Sequence, residues 1–187
     1  MNVSFLKRLH RRFRMFGEIR FIEFLSKIHT LWSIKPYSMI EYPRLAKGYD
    51  LVFDGERLNN IDGAIVECGL WNGGYAAMMN TVSEAAGNKR HVWMFDSFEG
   101  LPAPKDLDVT VSGKKAKTGA ATGDIRIVRT VFRNVDSGRV HIVKGWFQDT
   151  FKNTLPNIGK IAYLHLDCDL YEATLPTTFS WGGSYYR

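Results

Sequence analysis

One turn-forming segment has the composition of a ligand-binding loop: Glu67-Cys68-Gly69-Leu70-Trp71-Asn72-Gly73-Gly74. It follows an apolar run and precedes a stretch of small residues with helical character. Glycines let a ligand approach the backbone closely, and the N-terminus of a following helix offers free N–H donors to a carboxylate. Glu67, two positions before the first glycine, suits a positive group such as an ammonium or a sulfonium. A tight turn without a ligand explains the same glycines equally well.

A second candidate binding residue, Asp96, ends the next apolar run of the chain, one strand and one helix after Gly69. A carboxylate at this position can accept the hydroxyl groups of a ribose, as it does in dinucleotide-binding folds. The glycines do not follow the Gly-x-Gly-x-x-Gly spacing, which disfavours a site for a dinucleotide pyrophosphate. Alone, Asp96 could equally cap a helix or stabilise a turn.

Alternating apolar runs and helical patterns predict the elements that position these residues. Four runs have the length of strands, at residues 64–70, 91–96, 140–145 and 161–167. Helical patterns follow the first two runs, at residues 73–86 and from residue 124, and Asp124 is placed to cap the second of these helices. This alternation indicates an α/β fold with a parallel sheet. Since ligands bind at the carboxyl ends of such strands, Gly69, Asp96, Gly145 and Asp167 are expected along one edge.

The N-terminal region differs from the rest of the chain in charge and pattern. Residues 1–47 contain ten Lys or Arg and three Glu, whereas the rest is close to neutral. The basic run at residues 7–14 opens an amphipathic stretch, and a further helix is predicted from about residue 43 to 60. Its basic face could contact an anionic membrane or an acidic partner, but a solvated helix packed on the main domain is the simpler interpretation.

Several classes of protein are disfavoured by the sequence. No apolar stretch is long enough for a transmembrane segment, and the N-terminus lacks the apolar core of a secretory signal. The positive charge is confined to the N-terminal region, so no nucleic-acid partner is expected. Cys68 and Cys168 both fall in or beside predicted buried strands, which suits a reducing compartment. We therefore expect a cytoplasmic protein.

Four ordered motifs resemble those of the macrocin O-methyltransferase family, bacterial enzymes that methylate sugar hydroxyls in antibiotic biosynthesis. The motifs are Val66-Glu67-Cys68-Gly69, Asp96-Ser97-Phe98-Glu99-Gly100-Leu101-Pro102, Gly145-Trp146-Phe147-Gln148-Asp149-Thr150 and Leu166-Asp167-Cys168-Asp169-Leu170-Tyr171-Glu172-Ala173-Thr174. The segment Tyr37-Ser38-Met39-Ile40 is also similar to that family's lead-in. The resemblance covers residues 37–175 and implies a Rossmann-like domain of class I methyltransferases, preceded by N-terminal helices.

The resemblance implies an O-methyltransferase that transfers a methyl group from S-adenosylmethionine to a hydroxyl of a sugar or secondary metabolite, assisted by magnesium. It places Glu67 and Gly69 near the methionine part of the cofactor and Asp96 on the ribose. The cofactor-binding set that it implies is Glu67, Gly69, Trp71, Gly73, Asp96, Ser97, Phe147, Gln148 and Asp149. Phe147, Gln148 and Asp149 would border the adenine. Trp146 and Phe147 provide an aromatic surface for it, although a core aromatic pair is an equally ordinary interpretation.

Asp167 resembles the first metal-binding aspartate of the family, and we expect it to be both a catalytic residue and a magnesium ligand. Magnesium bound to a hydroxyl favours the alkoxide and holds it in line with the methyl group. Asp167 could also act as the base. Magnesium prefers six oxygen ligands, and the family supplies two further aspartates from a strand that this sequence lacks.

The family pattern breaks after residue 175, because residues 176–187 contain no acidic residue and no helical spacing. We interpret this as a truncated or frame-shifted reading frame, with a natural minimal variant as the alternative. The expected organisation is a helical region or lid at 1–60, an incomplete cofactor-binding domain at 61–175 and an aberrant tail at 176–187. The fourth strand would then become a sheet edge.

Three functions remain to be compared. The first is a methyltransferase of a small-molecule hydroxyl acceptor, and the second is a non-catalytic remnant that binds S-adenosylmethionine or a partner. The third, a nicotinamide-dependent oxidoreductase, is disfavoured by the glycine spacing. Because members of the family self-associate, a homo-oligomer formed through the N-terminal helices is also expected.

Overall fold

The computed structural model describes residues 20–58, 61–103 and 117–168. The basic run at 7–14 and the tail at 176–187 therefore lie outside the described residues. We label the helix over residues 20–34 α1, and a short 3-10 turn, Lys35–Tyr37, follows it. The other helices are α2 Tyr42–Leu58, α3 Gly74–Ala85, α4 Ile125–Val131 and α5 Phe147–Thr154. The strands are β1 Ala64–Cys68, β2 Val92–Asp96, β3 Val140–Lys144 and β4 Ile161–Leu166.

The four strands form one parallel sheet in the order β3-β2-β1-β4. From β1 the chain moves outward through β2 to β3 and then crosses back to the other side of β1. The strand order therefore reverses between β1 and β4, which is where open α/β sheets bind ligands. The predicted α/β fold is confirmed, and each strand lies within two residues of its predicted bounds.

Strand β1 is central, and all five of its residues are buried. A strand covered on both faces is normally apolar, which explains the apolar residues of β1 other than the buried acid Glu67. Ile65 packs in a core with residues of α2 and α3, whereas Val66 and Cys68 face a second core formed with Phe95 and α5. In the described part of the chain, β4 pairs only with β1.

Helix α4 was predicted from local sequence signals, whereas α5 was not. Asp124 caps α4, because its side chain accepts the backbone N–H of Arg126 at 2.8 Å, which confirms the prediction. Helix α5 was not predicted, since its residues were interpreted only as a binding motif. Phe147 and Phe151, four residues apart, lie on its buried face, and Phe151 contacts Phe95 edge to face. This spacing is the signal that could have identified the helix.

The N-terminal helices join the sheet through a buried ion pair. Arg90, just before β2, donates to Glu56 of α2 at 2.9 Å, and the two side chains are only 7% and 1% exposed. The same guanidinium donates to the carbonyls of Ile61 and Gly63 and to the hydroxyl of Ser83. Burial tends to raise the pKa of Glu56, but the bonds from Arg90 and its neighbours leave that pKa below its usual value.

Within the described residues, no helix is long and apolar enough to cross a bilayer.

Arg90→Ala should lower the free energy of unfolding by about 3–5 kcal/mol, because it leaves the carboxylate of Glu56 buried without its partner. Denaturant unfolding at neutral pH measures this loss. Arg57→Ala is the matched control, since Arg57 pairs with Glu23 in an exposed ion pair whose removal should cost at most about 1 kcal/mol. Equal losses in the two variants would contradict the role given to Arg90.

Candidate functional site

A cavity of about 670 Å³ lies at the carboxyl ends of the strands. Residues that follow β1, β2, β3 and β4 line it, and the segment before α2 forms a further wall. The lining residues from the strand ends include Glu67, Gly69, Leu70, Trp71, Asp96, Ser97, Gly145, Trp146, Phe147, Gln148, Asp167 and Cys168. The four strand-end positions expected along one edge therefore border the same cavity.

Eight of the ten sequence-predicted site residues line this cavity: Glu67, Gly69, Trp71, Asp96, Ser97, Phe147, Gln148 and Asp167. The other two do not. Gly73 adopts the left-handed conformation at the N-cap of α3 (φ 79°) and packs close to Val128. Asp149 is exposed in the first turn of α5. The structure thus brings most of the predicted set together, while the role of each residue toward a cofactor stays a prediction.

Gly69 is required by the packing of the protein itself. Its φ is +79°, and a Cβ at this position would lie 2.2 Å from the carbonyl oxygen of Asp167. The two strand ends are this close because the N–H of Asp167 donates to the carbonyl of Cys68 at 2.9 Å. The interpretation as a tight structural turn therefore accounts for this glycine. The absence of a side chain also leaves the backbone accessible at the cavity wall.

The carboxylate of Asp96 organises two loops of the site. One oxygen accepts the backbone N–H groups of Leu70 and Trp71 at 2.9 and 3.1 Å, and the other accepts that of Phe98 at 2.7 Å. Trp71 and Phe98 both have positive φ values, 50° and 57°, which cost energy in residues other than glycine. Burial raises the pKa of Asp96 and outweighs the opposing effect of these three bonds.

This arrangement limits what Asp96 can still bind. A carboxylate offers roughly four acceptor positions, and three are used by the backbone. The remaining position lies on the oxygen that binds Phe98. Asp96 can therefore accept one ligand hydroxyl without releasing a loop.

Glu67 lies at the base of the cavity and is only 2% exposed. One oxygen accepts the N–H of Ala76 in the first turn of α3 at 2.9 Å, and the other lies 3.0 Å from Nδ1 of His165. Burial raises the pKa of Glu67, although His165 and Ala76 oppose the rise. The ring of His165 stacks on Tyr75 with 3.7 Å between centroids. Glu67 is thus a buried acid that joins β1, β4 and α3.

Asp167 faces a cation. Its carboxylate lies 3.7 Å from the guanidinium of Arg44, which reaches the cavity from α2. Among the described residues, no three His, Cys, Asp or Glu side chains are grouped as a metal site. Within the described residues, one carboxylate beside a guanidinium does not by itself form a magnesium site, because magnesium usually takes more than one protein oxygen and repels a neighbouring cation.

Aromatic side chains border the far end of the cavity. Phe147 is 9% exposed and stacks on Phe151 with 5.2 Å between centroids, so it belongs largely to the core. Trp146 and Gln148 precede and follow it on the lining. The N–H of Gly145 donates to the carbonyl of Asp96 at 3.0 Å. This bond holds the aromatic segment beside the Asp96 loop.

Sequence reasoning missed three residues of the site: Arg44, Tyr75 and His165. Arg44 lies on α2, four residues after the lead-in segment that ends at Ile40, but no local pattern indicated its position. His165 precedes Asp167 by two residues, and alternate residues of a strand share a face. That spacing could have identified it as a neighbour of the cavity. Tyr75 lies against Gly48 of α2, where a Cβ would collide with its hydroxyl.

Comparisons with known proteins agree with this architecture. The family model described as macrocin-O-methyltransferase (TylF) matches residues 21–180. The chain is 34% identical over 152 residues to a demethyldecarbamoylnovobiocin O-methyltransferase of Streptomyces niveus, covering 78% of this chain and 57% of that protein. It is 32% identical over 123 residues to an 8-demethyl-8-(2,3-dimethoxy-alpha-L-rhamnosyl)-tetracenomycin-C 4'-O-methyltransferase of Streptomyces olivaceus, covering 62% and 46%.

Solved structures show the same fold. The O-methyltransferase NovP superposes with a TM-score of 0.66 at 30% identity, over 79% of this chain and 62% of NovP. The calicheamicin methyltransferase CalS11 superposes with a TM-score of 0.62 at 21% identity, over the same shares, and supports the fold alone. The chain spans about half the length of the curated relatives it matches. Since the family model covers most of the sequence, this chain belongs to the macrocin O-methyltransferase family.

Proposed function

We propose that the protein binds S-adenosylmethionine and transfers its methyl group to a hydroxyl of a sugar or another secondary metabolite. The observation that carries this proposal is the convergence of Gly69, Asp96 and Asp167 on one cavity at the point where the strand order reverses. Its volume lies within the range of about 300–1,000 Å³ typical of small-molecule sites. The curated relatives are named as O-methyltransferases of secondary metabolites, which supports this class of acceptor.

The proposed cofactor orientation follows the charges and surfaces of the cavity. The amino acid part of the cofactor lies beside Gly69. There the acid Glu67 attracts its positive group, and the N-terminus of α3 favours its carboxylate. Asp96 accepts one ribose hydroxyl at its remaining acceptor position, with Trp71 and Ser97 beside the sugar. Trp146, Phe147 and Gln148 border the adenine. Gly73 and Asp149 lie off the lining, so we propose that Gly73 serves the turn and that Asp149 makes no direct contact.

When bound, S-adenosylmethionine supplies a methyl group on a positively charged sulfur. The cavity holds the acceptor oxygen in line with that methyl group, which lowers the entropic cost of reaction. Asp167 would accept the proton of the acceptor hydroxyl as the hydroxyl oxygen bonds to the methyl carbon, while the carbon–sulfur bond breaks and S-adenosylhomocysteine leaves with its electron pair. Arg44, 3.7 Å away, holds the Asp167 carboxylate in place. Ser38, Met39 and Ile40 form the wall from the N-terminal region.

No step of this scheme is assigned to magnesium, because the described residues do not group enough acidic or histidine side chains to hold it. The expectation that Asp167 binds magnesium stays a prediction. Asp169 and Glu172, two further acids of the same motif, lie outside the described residues.

The ribose contact predicts a specific thermodynamic cycle. Wild-type protein should bind S-adenosylhomocysteine about tenfold or more tightly than one of its 2′-deoxy and 3′-deoxy analogues, because a hydrogen bond to a charged acceptor contributes about 1.5–3 kcal/mol. In Asp96→Asn the same comparison should give a much smaller ratio, as measured by calorimetry. The ratio isolates the ribose contact from any loosening of the Asp96 loops. An equal ratio in both proteins would refute the contact.

Glu67→Gln separates the structural role of Glu67 from a role in binding. Glutamine can keep both hydrogen bonds, and the raised pKa of Glu67 means that its ionisation opposes folding. Protonated Glu67 makes its full contribution to stability below the unfolded-state pKa of 4.5. This contribution is lost as pH rises through the higher folded-state pKa. The variant should therefore gain stability relative to wild type as pH rises above 4.5.

The same variant should bind S-adenosylmethionine about tenfold more weakly at neutral pH, if the carboxylate interacts with the positive part of the cofactor. Chemical denaturation across the pH range and calorimetric titration measure the two effects. Retained stability with unchanged affinity would show that Glu67 serves only the fold.

Asp167→Asn should lower the rate of methyl transfer by about 100-fold or more, because it removes a general base. Transfer of labelled methyl groups to sugar hydroxyl acceptors, with and without magnesium, measures the rate. Cofactor affinity should change by less than about threefold, because Asp167 serves the acceptor. Asp62→Asn is the matched control, since Asp62 is an exposed carboxylate paired with Lys160. Cofactor binding without transfer to any acceptor would favour the alternative of a protein that only binds.

A further inference from the structure

A pair of stacked rings lies beside Glu67 and takes no part in the proposed methyl transfer. Nδ1 of His165 on β4 lies 3.0 Å from a carboxylate oxygen of Glu67 on β1. The imidazole stacks on the ring of Tyr75 from α3, with 3.7 Å between centroids and 15° between planes. The side chain of His165 is 16% exposed, and that of Glu67 is 2% exposed. Three elements of the fold therefore meet at this hydrogen bond.

The register of the sheet places His165 against Glu67. The two residues are directly opposite each other where β1 pairs with β4, and the side chains of such partners lie on the same face of a sheet. Tyr75 has little freedom to move, because its hydroxyl lies against Gly48 of α2, where a Cβ would collide with it. The stacked ring of Tyr75 therefore opposes any rotation of the imidazole out of its present plane.

These contacts leave Glu67 able to bind a ligand. A carboxylate offers roughly four acceptor positions. The N–H of Ala76 occupies a position on one oxygen, and His165 occupies a position on the other. An ionised carboxylate only accepts hydrogen bonds, so Nδ1 of His165 carries the hydrogen in this pairing. Each oxygen of Glu67 keeps an unused acceptor position, and the residue borders the cavity.

We propose that His165 is a positioning residue, which holds the Glu67 carboxylate in the orientation that binds the amino group of the cofactor. This role rests on the proposed function, since it takes S-adenosylmethionine as the ligand of the cavity. His165 lies off the lining of the cavity, so it acts on the ligand only through Glu67. Tyr75 keeps the imidazole in place.

A carboxylate held at both oxygens presents its remaining acceptor positions in fixed directions. An ammonium group that meets such a partner avoids the entropic cost of ordering a flexible glutamate side chain. Loss of His165 would free one oxygen of Glu67 and would weaken the contact with the amino group. The ribose and the adenine should be unaffected, because their proposed contacts are with Asp96 and the aromatic segment.

Calorimetric titration with S-adenosylhomocysteine and its deamino analogue, in which a hydrogen replaces the amino group, tests this role. The ratio of the two affinities isolates the amino group. In the wild-type protein we expect a ratio of about tenfold or more, because the hydrogen bonds join two charged groups. In His165→Leu the ratio should fall to about threefold or less, because leucine cannot donate to Glu67.

His165→Asn is the conservative variant, and its ratio should stay within about twofold of the wild-type value, because the side-chain amide can donate in place of Nδ1. His91→Leu is the matched control. His91 is also hydrogen-bonded, to His141, but it precedes β2 at the end of the sheet opposite the cavity. Its replacement should leave the ratio unchanged.

Substitutions of Tyr75 give a second readout if thermal unfolding shows that His165→Leu does not fold. Tyr75→Phe keeps the stacked ring and should keep the ratio. Tyr75→Leu removes the ring and should lower the ratio about threefold or more.

The outcomes separate this role from the proposed function. Failure of S-adenosylhomocysteine to bind the wild-type protein would refute the proposed function and the role of His165 with it. Binding of S-adenosylhomocysteine with the same ratio in wild type and His165→Leu would overturn the positioning role alone. An equal fall in His165→Leu and His165→Asn, or an unchanged ratio in Tyr75→Leu, would overturn it as well.

Discussion

The site depends on one partly buried carboxylate that holds two loops together. Asp96 accepts backbone N–H groups from the loop after β1 and from the loop after β2. Two of its donors, the N–H groups of Trp71 and Phe98, belong to residues with positive φ values. Residues other than glycine rarely adopt this conformation. Its cost is offset because the N–H groups that it presents are bonded to a charged acceptor. The shape of the cavity edge therefore follows from the position of this one side chain at the end of β2.

The sheet supplies the frame in which that carboxylate can act. Parallel strands bring residues from distant parts of the sequence to the same edge, and the crossover from β3 to β4 places Asp167 beside Gly69. Helix α2 closes the site from the other side, since it sends Arg44 to Asp167 and is held to the sheet by Glu56 and Arg90. The N-terminal helices are thus part of the architecture of the site.

Much of the fold could be predicted because strand length and apolar continuity are local properties of the sequence. The cap at Asp124 was predicted for the same reason. The pairings of Arg44 with Asp167 and of Glu67 with His165 join residues that are far apart in the chain, and no spacing rule reports such contacts. Helix α5 was missed because its aromatic residues suggested a ligand surface, although Phe147 and Phe151 mainly serve the core. The family motifs indicated which residues meet, but the distances between them came only from the structure.

The contact between Gly69 and the carbonyl of Asp167 has a consequence for how this sequence can vary. Any side chain at position 69 would push the end of β4 away from β1 and would move Asp167 with it. The loop beside the proposed cofactor therefore limits where the backbone of the acid beside the proposed acceptor can lie. A substitution at position 69 would thus shift both halves of the pocket together, whereas a substitution at position 167 leaves the strand ends in place, because Gly69 meets the backbone carbonyl of that residue and not its side chain.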